Sequence, residues 1–302
     1  MMNEYPFPEV LDSSMLGTFK SCPEKFHKEY IKNWKQKDTN VHPHAGGAFA
    51  HGLEVARNSF YVEGKNAETS VALGMGALMK KYGNFDCPPD SAKSLERMAG
   101  AFEFYFNNYP LSDEDPPVTY AGGKRGIEFN FVHPIDVAHP VTGNPLLYCG
   151  RMDAILETHG GTFIVDEKTA SSLGPQWSRQ WDLRSQFTGY KWGCRESGIR
   201  VDGVIVRGVS ILKTKYETQQ AISYRPDWVV DRWYDQLCSD WIPSMIRMWE
   251  TNRFPYNLDH SCADFGGCPF RSACQSADET PWLSTYFVRK HWDPVTRIET
   301  LL

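Results

Sequence analysis

Two carboxylates and a lysine stand close together in a stretch that is otherwise largely apolar. Asp153 lies in Cys149-Gly150-Arg151-Met152-Asp153-Ala154-Ile155, and Asp166 with Lys168 in Ile164-Val165-Asp166-Glu167-Lys168-Thr169. Side chains alternate along a strand, so Asp166 and Lys168 share one face and Glu167 points to the other, away from any ligand set the first two would form. The turn signal His159-Gly160-Gly161 between the two segments makes a hairpin that brings Asp153 near Asp166. Carboxylates converging on buried strands repel one another, and an interior tolerates them only when a cation or a proton compensates. A hard divalent cation, Mg²⁺ or Mn²⁺, satisfies oxygen ligands directly. Lys168 can neutralise a phosphate oxygen or help lower the pKa of an attacking water, a combination that suits phosphodiester hydrolysis. A lone Asp-x-Lys is usually a pair of exposed strand-end charges. The partner Asp153 and the apolar surroundings set this one apart.

The elements that must position these residues are read from hydrophobic period and turn residues. Helical pattern runs from Ser14 to Trp34, a loop follows through Val41 to His44, and further helices are expected at Gly47–Tyr61, Val71–Tyr82 and Ala92–Asn107. Pro110 to Pro117 closes this helical subregion, residues 45–118. Three strands are expected at Gly126–Ile135, Leu146–Glu157 and Thr162–Lys168, joined at Thr142-Gly143-Asn144 and His159-Gly160-Gly161. A helix at Ser178–Glu196, an apolar strand at Val201–Leu212 with a partner at Gln219–Tyr224, and a Trp-rich helix at Pro226–Trp249 complete the reading. The fold class is α/β: a core of helix, three-strand meander, helix and strand over residues 126–213, with helical additions at both ends, in one domain spanning 1–302. No repeat or low-complexity segment interrupts it.

The run resembles the PD-(D/E)xK nuclease superfamily, and within it the RecB-like exonuclease branch. That branch has a Gly-x-x-Asp strand, an apolar strand ending Asp-x-Lys-Thr, and a helix carrying Gln-x-x-x-Tyr. Here these read Gly150-Arg151-Met152-Asp153, Asp166-Glu167-Lys168-Thr169 and Gln186-Phe187-Thr188-Gly189-Tyr190. Gln186 and Tyr190 are four apart and share a helix face. The resemblance implies a restriction-endonuclease-like core and catalytic roles for Asp153, Asp166, Lys168, Gln186 and Tyr190. It also implies a histidine ligand, matched by His51 in Gly47-Ala48-Phe49-Ala50-His51, and an acidic residue on the first core strand, matched by Glu128. The His51 imidazole would favour Mn²⁺ over Mg²⁺. It covers about Ser14 to Cys274, densest between Glu128 and Tyr190.

Eight cysteines in a presumed cytosolic chain are a poor disulfide framework, so clustered ones point to metal. Cys262, Cys268 and Cys274 are spaced six apart among glycines and a proline, and Cys22, in a Cys-Pro context, is the best fourth ligand. Iron-sulfur members of the resembled branch hold a [4Fe-4S] cluster with one N-terminal and three C-terminal cysteines. Two of their C-terminal cysteines are often only two residues apart, a spacing this chain lacks, and Zn²⁺ accepts the same four thiolates. Either would tie residues 14–34 to 255–280, and its role would be structural. Cys87, Cys149, Cys194 and Cys238 are assigned to packing.

A net charge of −5 excludes a wholly basic surface but not a local groove for nucleic acid. Lys20, Lys25, Lys28, Lys32, Lys35 and Lys37 on the first helix, and Trp177, Arg179, Trp181 and Arg184 before the Gln186 helix, interleave cations with aromatics as single-stranded DNA requires. The lysine run reads equally as a solvated helix face. No Gly-x-x-x-x-Gly-Lys-[Ser/Thr] occurs, which excludes a helicase-nuclease in one chain. No apolar run spans a bilayer, and the N-terminus lacks the pattern of a signal peptide, so a cytosolic protein is expected. The expected function is a metal-dependent DNA exonuclease acting on ends or single strands. The alternative is an idle DNA-binding or scaffold subunit of a recombination, repair or CRISPR-adaptation complex, against which the intact Asp153, Asp166 and Lys168 speak.

Overall fold

A computed structural model of the chain describes residues 4–38, 40–258, 260–263 and 267–302. Within the span read as one domain, the chain divides into two compact units, Asn40–Asn130 with Arg151–Asp227, and Met1–Thr39 with Phe131–Gly150 and Trp228–Leu302. Among the described residues, no helix is long and apolar enough to cross a membrane.

The unit containing Asp166 opens with three helices. Each begins where a side-chain oxygen caps a free N–H: Asn40 for Val41–Arg57, Asn66 for Ala67–Tyr82, Ser94 for Leu95–Asn108. The loop expected at Val41–His44 is therefore the first helical turn. Pro43 is tolerated there because N–H groups in a first turn have no intrahelical acceptor. The first two helices come so close at Gly52 and Gly74 that a Cβ on Gly74 would stand 2.6 Å from the Gly52 carbonyl oxygen. Only glycine permits that approach. Phe49, Leu53, Met98, Phe102 and Tyr105 pack into one core with Val209 and Ile211 of the sheet.

The expected strands are present as Ile127–Ala138, Pro145–Thr158, Gly161–Ala170, Gly203–Ile211 and Tyr216–Tyr224; Gly203–Ile211 is shorter than expected, and each of the others runs past at least one expected bound. Gly161–Ala170 pairs antiparallel with the end of Pro145–Thr158, Ala154 opposite Val165. On its other side it runs parallel to Gly203–Ile211, Asp166 opposite Val206. The parallel pair requires a crossover, supplied by the helix Ser185–Glu196. Gly203–Ile211 is buried at every position, as a strand covered on both faces must be. Tyr216–Tyr224 pairs antiparallel with it and closes the edge.

In the second unit, Asp12 caps the helix Ser13–Ser21 through Met15 N–H (2.8 Å). The helix expected to continue to Trp34 stops at Cys22, whose backbone is extended (φ −160°) because Pro23 follows. A short helix Pro23–Phe26 and a π-helical turn His27–Ile31 come next. The expected helix Ser178–Glu196, in the first unit, likewise divides into Pro175–Arg179 and Ser185–Glu196. The expected helix Pro226–Trp249 is interrupted by a π-helical turn, Leu237–Trp241, ahead of Pro243. Among the described residues, additional strands are Val10–Asp12, parallel to Leu147–Cys149; Trp34–Gln36, Phe287–Asp293 and Ile298–Leu301, which form a separate antiparallel sheet; and, in the first unit, the short antiparallel pair Thr119–Tyr120 and Lys124–Arg125.

Candidate functional site

Asp166 sits mid-strand and only 3% exposed, opposite Val206 on one side and one residue past Val165, where the pairing with Pro145–Thr158 ends, on the other. Lys168, two residues on and on the same face, places its Nζ 2.5 Å from Asp166 Oδ2. Asp153 lies on the adjacent strand, one residue beyond the last paired position, and its Oδ2 accepts the Glu167 N–H at 2.8 Å. Burial raises the Asp153 carboxyl well above the usual range, and the neighbouring charges of Asp166, Glu167 and Glu128 push it further, with Lys168 opposing. Burial works against the Lys168 charge, but Asp166, Asp153 and Tyr190 more than offset it and hold the ammonium above its ordinary value. The site thus holds more negative charge than Lys168 neutralises.

Glu128 takes a left-handed backbone (φ +49°), a rare conformation for a residue with a long side chain. Its carboxylate is bonded by Arg151 Nε. Gln186 donates to the buried Tyr190 hydroxyl at 2.8 Å, so the helix-face pair is joined, and Tyr190 is within electrostatic reach of Lys168. His51 Nδ1 is 3.0 Å from Glu54 Oε2, and Arg151 stands 4.0 Å from the same oxygen. Glu54 and Arg151 were not singled out from sequence. Their signals were present, since Glu54 is one helical turn beyond His51 and Arg151 lies within the Gly-x-x-Asp segment.

Among the described residues, no three His, Cys, Asp or Glu side chains are already gathered as a ligand set, and this holds for His51 with Asp153 and Asp166 and for Cys22, Cys262, Cys268 and Cys274 alike. The donor chemistry nevertheless fits a divalent cation. Asp153 and Asp166 supply hard oxygen, and the excess negative charge that favours a proton on Asp153 would favour a cation instead.

Behind Asp166, Arg57 donates to Glu114 (2.8 and 3.0 Å) and Glu167 (2.5 Å), while Arg207 donates to Glu114 and the Tyr105 hydroxyl. Burial raises the Glu167 carboxyl, but the charge and hydrogen bond of Arg57, with the charge of Arg207, outweigh it and hold the carboxyl down to about 2. This cluster was missed entirely, because no local pattern links residues so far apart in the chain.

The cysteines form a second candidate site, in the other unit. Cys22, Cys262, Cys268 and Cys274 line one cavity of about 320 Å³, together with Lys25, Tyr256 and Phe270. Cys268 N–H bonds the Cys262 carbonyl at 3.0 Å. Asp264, Phe265 and Gly266 of the same segment lie outside the described residues. Burial raises Cys268 and pushes Cys274 up to about 11, and charge on neighbouring cysteines adds to both. Thiols that resist ionising beside one another suit a centre whose cations compensate the thiolates, iron-sulfur or zinc. Cys149 and Cys194 are buried and pushed up to about 12 by that burial, as packing residues are.

Arg179 and Arg184 are exposed, but Trp177 and Trp181 are not the stacking platform expected. Both are 8% exposed and pack edge to face, 5.6 Å apart. Trp177 also covers Gly208, where any Cβ would strike the indole at 2.4 Å. A helix packing on a sheet uses the same aromatic spacing as a nucleic-acid groove, and here packing claims both rings. Several members of the lysine run are similarly engaged within their unit. Lys28 is buried between Glu24 and Glu279, Lys35 pairs with Glu29 (3.0 Å), and Lys37 bonds the Ser284 and Thr285 carbonyls.

The sequence model of the PD-(D/E)XK nuclease superfamily matches residues 13–275. No curated protein matches the chain. Among solved structures, a candidate exonuclease from Eubacterium rectale aligns over 85% of this chain and 87% of its own, with a TM-score of 0.51 at 13% identity. SSO0001 aligns over 76% and 75% with a TM-score of 0.30 at 12% identity. At such identity the first likeness is one of fold.

Proposed function

The chain belongs to the PD-(D/E)XK nuclease superfamily, and from that membership we propose that it is a metal-dependent deoxyribonuclease acting on DNA ends or single strands. The observation that carries this reading is the Asp166–Lys168 contact beside Asp153, on paired strands of one sheet. Asp153 and Asp166 would hold Mg²⁺ or Mn²⁺, with His51 and Glu128 as further candidates in the surrounding group. When bound, the metal polarises the scissile phosphate and lowers the pKa of a water. Lys168 carries its proton throughout, since its pKa is held high, so it acts as a fixed positive charge toward a non-bridging phosphate oxygen. Gln186 and Tyr190 hold one another on the helix beside it. Arg179 and Arg184 are exposed and would meet the DNA backbone, Arg184 from over the Trp181 ring (5.9 Å), whereas Trp177 and Trp181 contribute packing. The four-cysteine cavity would take a [4Fe-4S] cluster or Zn²⁺ in a structural role.

The deciding experiment is digestion of end-labelled DNA with Mg²⁺ and Mn²⁺ in parallel, on linear single strands, linear duplex and closed circles. Early release of short labelled products from linear DNA, with circles spared, is expected. Cut circles would make the enzyme an endonuclease, and intact DNA under every condition would remove the catalytic reading.

A pH-dependent metal effect follows from Asp153. Its raised folded pKa means that the folded state keeps a proton which the unfolded chain gives up at about pH 4, so metal-free stability falls as pH rises from there toward the folded value. A divalent cation needs the deprotonated form and therefore stabilises more at higher pH. The increase in melting temperature with saturating Mn²⁺ should be larger at about pH 8 than at about pH 5.5, and absent in Asp153→Ala. Equal increments at both pH values would contradict the assignment of Asp153 as a ligand.

A further inference from the structure

We propose that Glu167, the residue between Asp166 and Lys168, is a positioning residue. Anchored from behind by Arg57 and Tyr105, it fixes the backbone N–H that orients Asp153. This rests on the nuclease reading above and deepens it.

Three observations carry the inference. Glu167 N–H reaches Asp153 Oδ2 at 2.8 Å, so the peptide between the two reactive strand residues is itself a contact to the second carboxylate. Glu167 is buried, and its Oε1 accepts from Arg57 Nη2 at 2.5 Å and from the Tyr105 hydroxyl at 2.9 Å. Arg57 is in turn held by Glu114, which also accepts from Arg207 at 2.5 Å, so two guanidiniums and two carboxylates balance inside the unit.

Stability alone is a poor reason for such a cluster. Desolvating four charges is costly, and apolar residues of similar volume commonly stabilise as well or better. What charge-assisted bonds add is direction: they hold one side chain at one place and angle. Here that side chain belongs to the peptide whose neighbours are Asp166 and Lys168. Partners behind a metal ligand generally set its orientation, and removing them weakens metal binding or activity by about 10- to 100-fold.

Two charge-balanced double variants separate positioning from stability. Glu167→Gln with Arg207→Gln leaves Arg57 paired with Glu114, and Glu114→Gln with Arg207→Gln leaves Arg57 paired with Glu167. Mn²⁺ affinity is read directly from the electron paramagnetic resonance of free Mn²⁺, alongside melting temperature, kcat and KM for DNA. The first double is expected to weaken Mn²⁺ binding by at least about tenfold and to lower kcat with KM little changed. The second should keep the affinity of the unsubstituted protein at a comparable loss of melting temperature. Equal losses in both, or losses in neither, overturn the positioning role. Should a double fail to fold, Arg57→Lys keeps the charge and loses the fork: weakened Mn²⁺ binding supports the role, and unchanged binding overturns it. An unsubstituted protein that binds no Mn²⁺ removes the metal site and this role together. One that binds Mn²⁺, and loses it in Asp166→Ala, with both doubles binding alike, removes only the role of Glu167.

Discussion

Asp166→Ala is expected to reduce metal-dependent hydrolysis of linear DNA by at least about a thousandfold, equivalent to roughly 4 kcal/mol of transition-state stabilisation. The substitution removes a proposed ligand and also the anchor 2.5 Å from Lys168 Nζ, so two parts of the machinery are lost at once. Lys168→Ala should lose a comparable factor by removing the fixed positive charge. The fold should survive both. Asp166 contributes to the like-charge crowding that raises the Asp153 carboxyl, so its loss relieves repulsion in the metal-free protein. The metal-free melting temperature of Asp166→Asn, the isosteric change, should therefore match or exceed that of the unsubstituted chain, a common trade between activity and stability at charged sites. Rates on end-labelled DNA and thermal melts by circular dichroism read both effects. Full activity in Asp166→Ala would remove Asp166 from the site.

The centre of this site was legible because its signals are local. Asp166 and Lys168 follow the period of two along a strand, and Gly160 and Gly161 mark the hairpin that returns the chain from Asp153. Helix faces were less legible. Cys22 interrupts an apparently continuous helical pattern only because Pro23 forces it extended, and the π-helical turns His27–Ile31 and Leu237–Trp241 leave the hydrophobic pattern almost unchanged. Trp177 and Trp181 carry the spacing of a nucleic-acid platform and of a packed helix alike, and only tertiary structure distinguishes them. The Arg57, Glu114, Glu167 and Arg207 cluster had no signature at all. The alternation along the strand says nothing of what Glu167 meets: Arg57, which bonds it, comes from a helix more than a hundred residues earlier, and the Arg207 charge acts on it from the adjoining strand. The division into two units, each discontinuous in sequence, likewise depends on contacts that no local period encodes.

Cys22→Ser should release the metal of the cysteine site and lower the melting temperature sharply, because it removes one of four thiols that line a single cavity. Serine keeps the shape of cysteine, and residue 22 already has an extended backbone ahead of Pro23, so the break between the two helices should persist. The loss can then be assigned to sulfur. Binding of a structural metal by four thiolates contributes on the order of 10 kcal/mol or more, comparable with the whole stability of a domain, so a drop exceeding about 10 °C is expected. Cys262→Ser, Cys268→Ser and Cys274→Ser should behave alike. Cys87→Ala, Cys149→Ala, Cys194→Ala and Cys238→Ala should retain the metal, with Cys149 and Cys194 losing only the modest packing of a buried thiol. The proton balance supplies an independent check. Cys268 and Cys274 are raised by burial, so the metal must displace protons from them, and its affinity should weaken as pH falls. Elemental analysis identifies the metal, and a brown solution with broad visible absorption would distinguish iron-sulfur from zinc. A Cys22→Ser protein that retains full metal content and melting temperature would refute the four-cysteine assignment while leaving Asp153, Asp166 and Lys168 to be judged by hydrolysis alone.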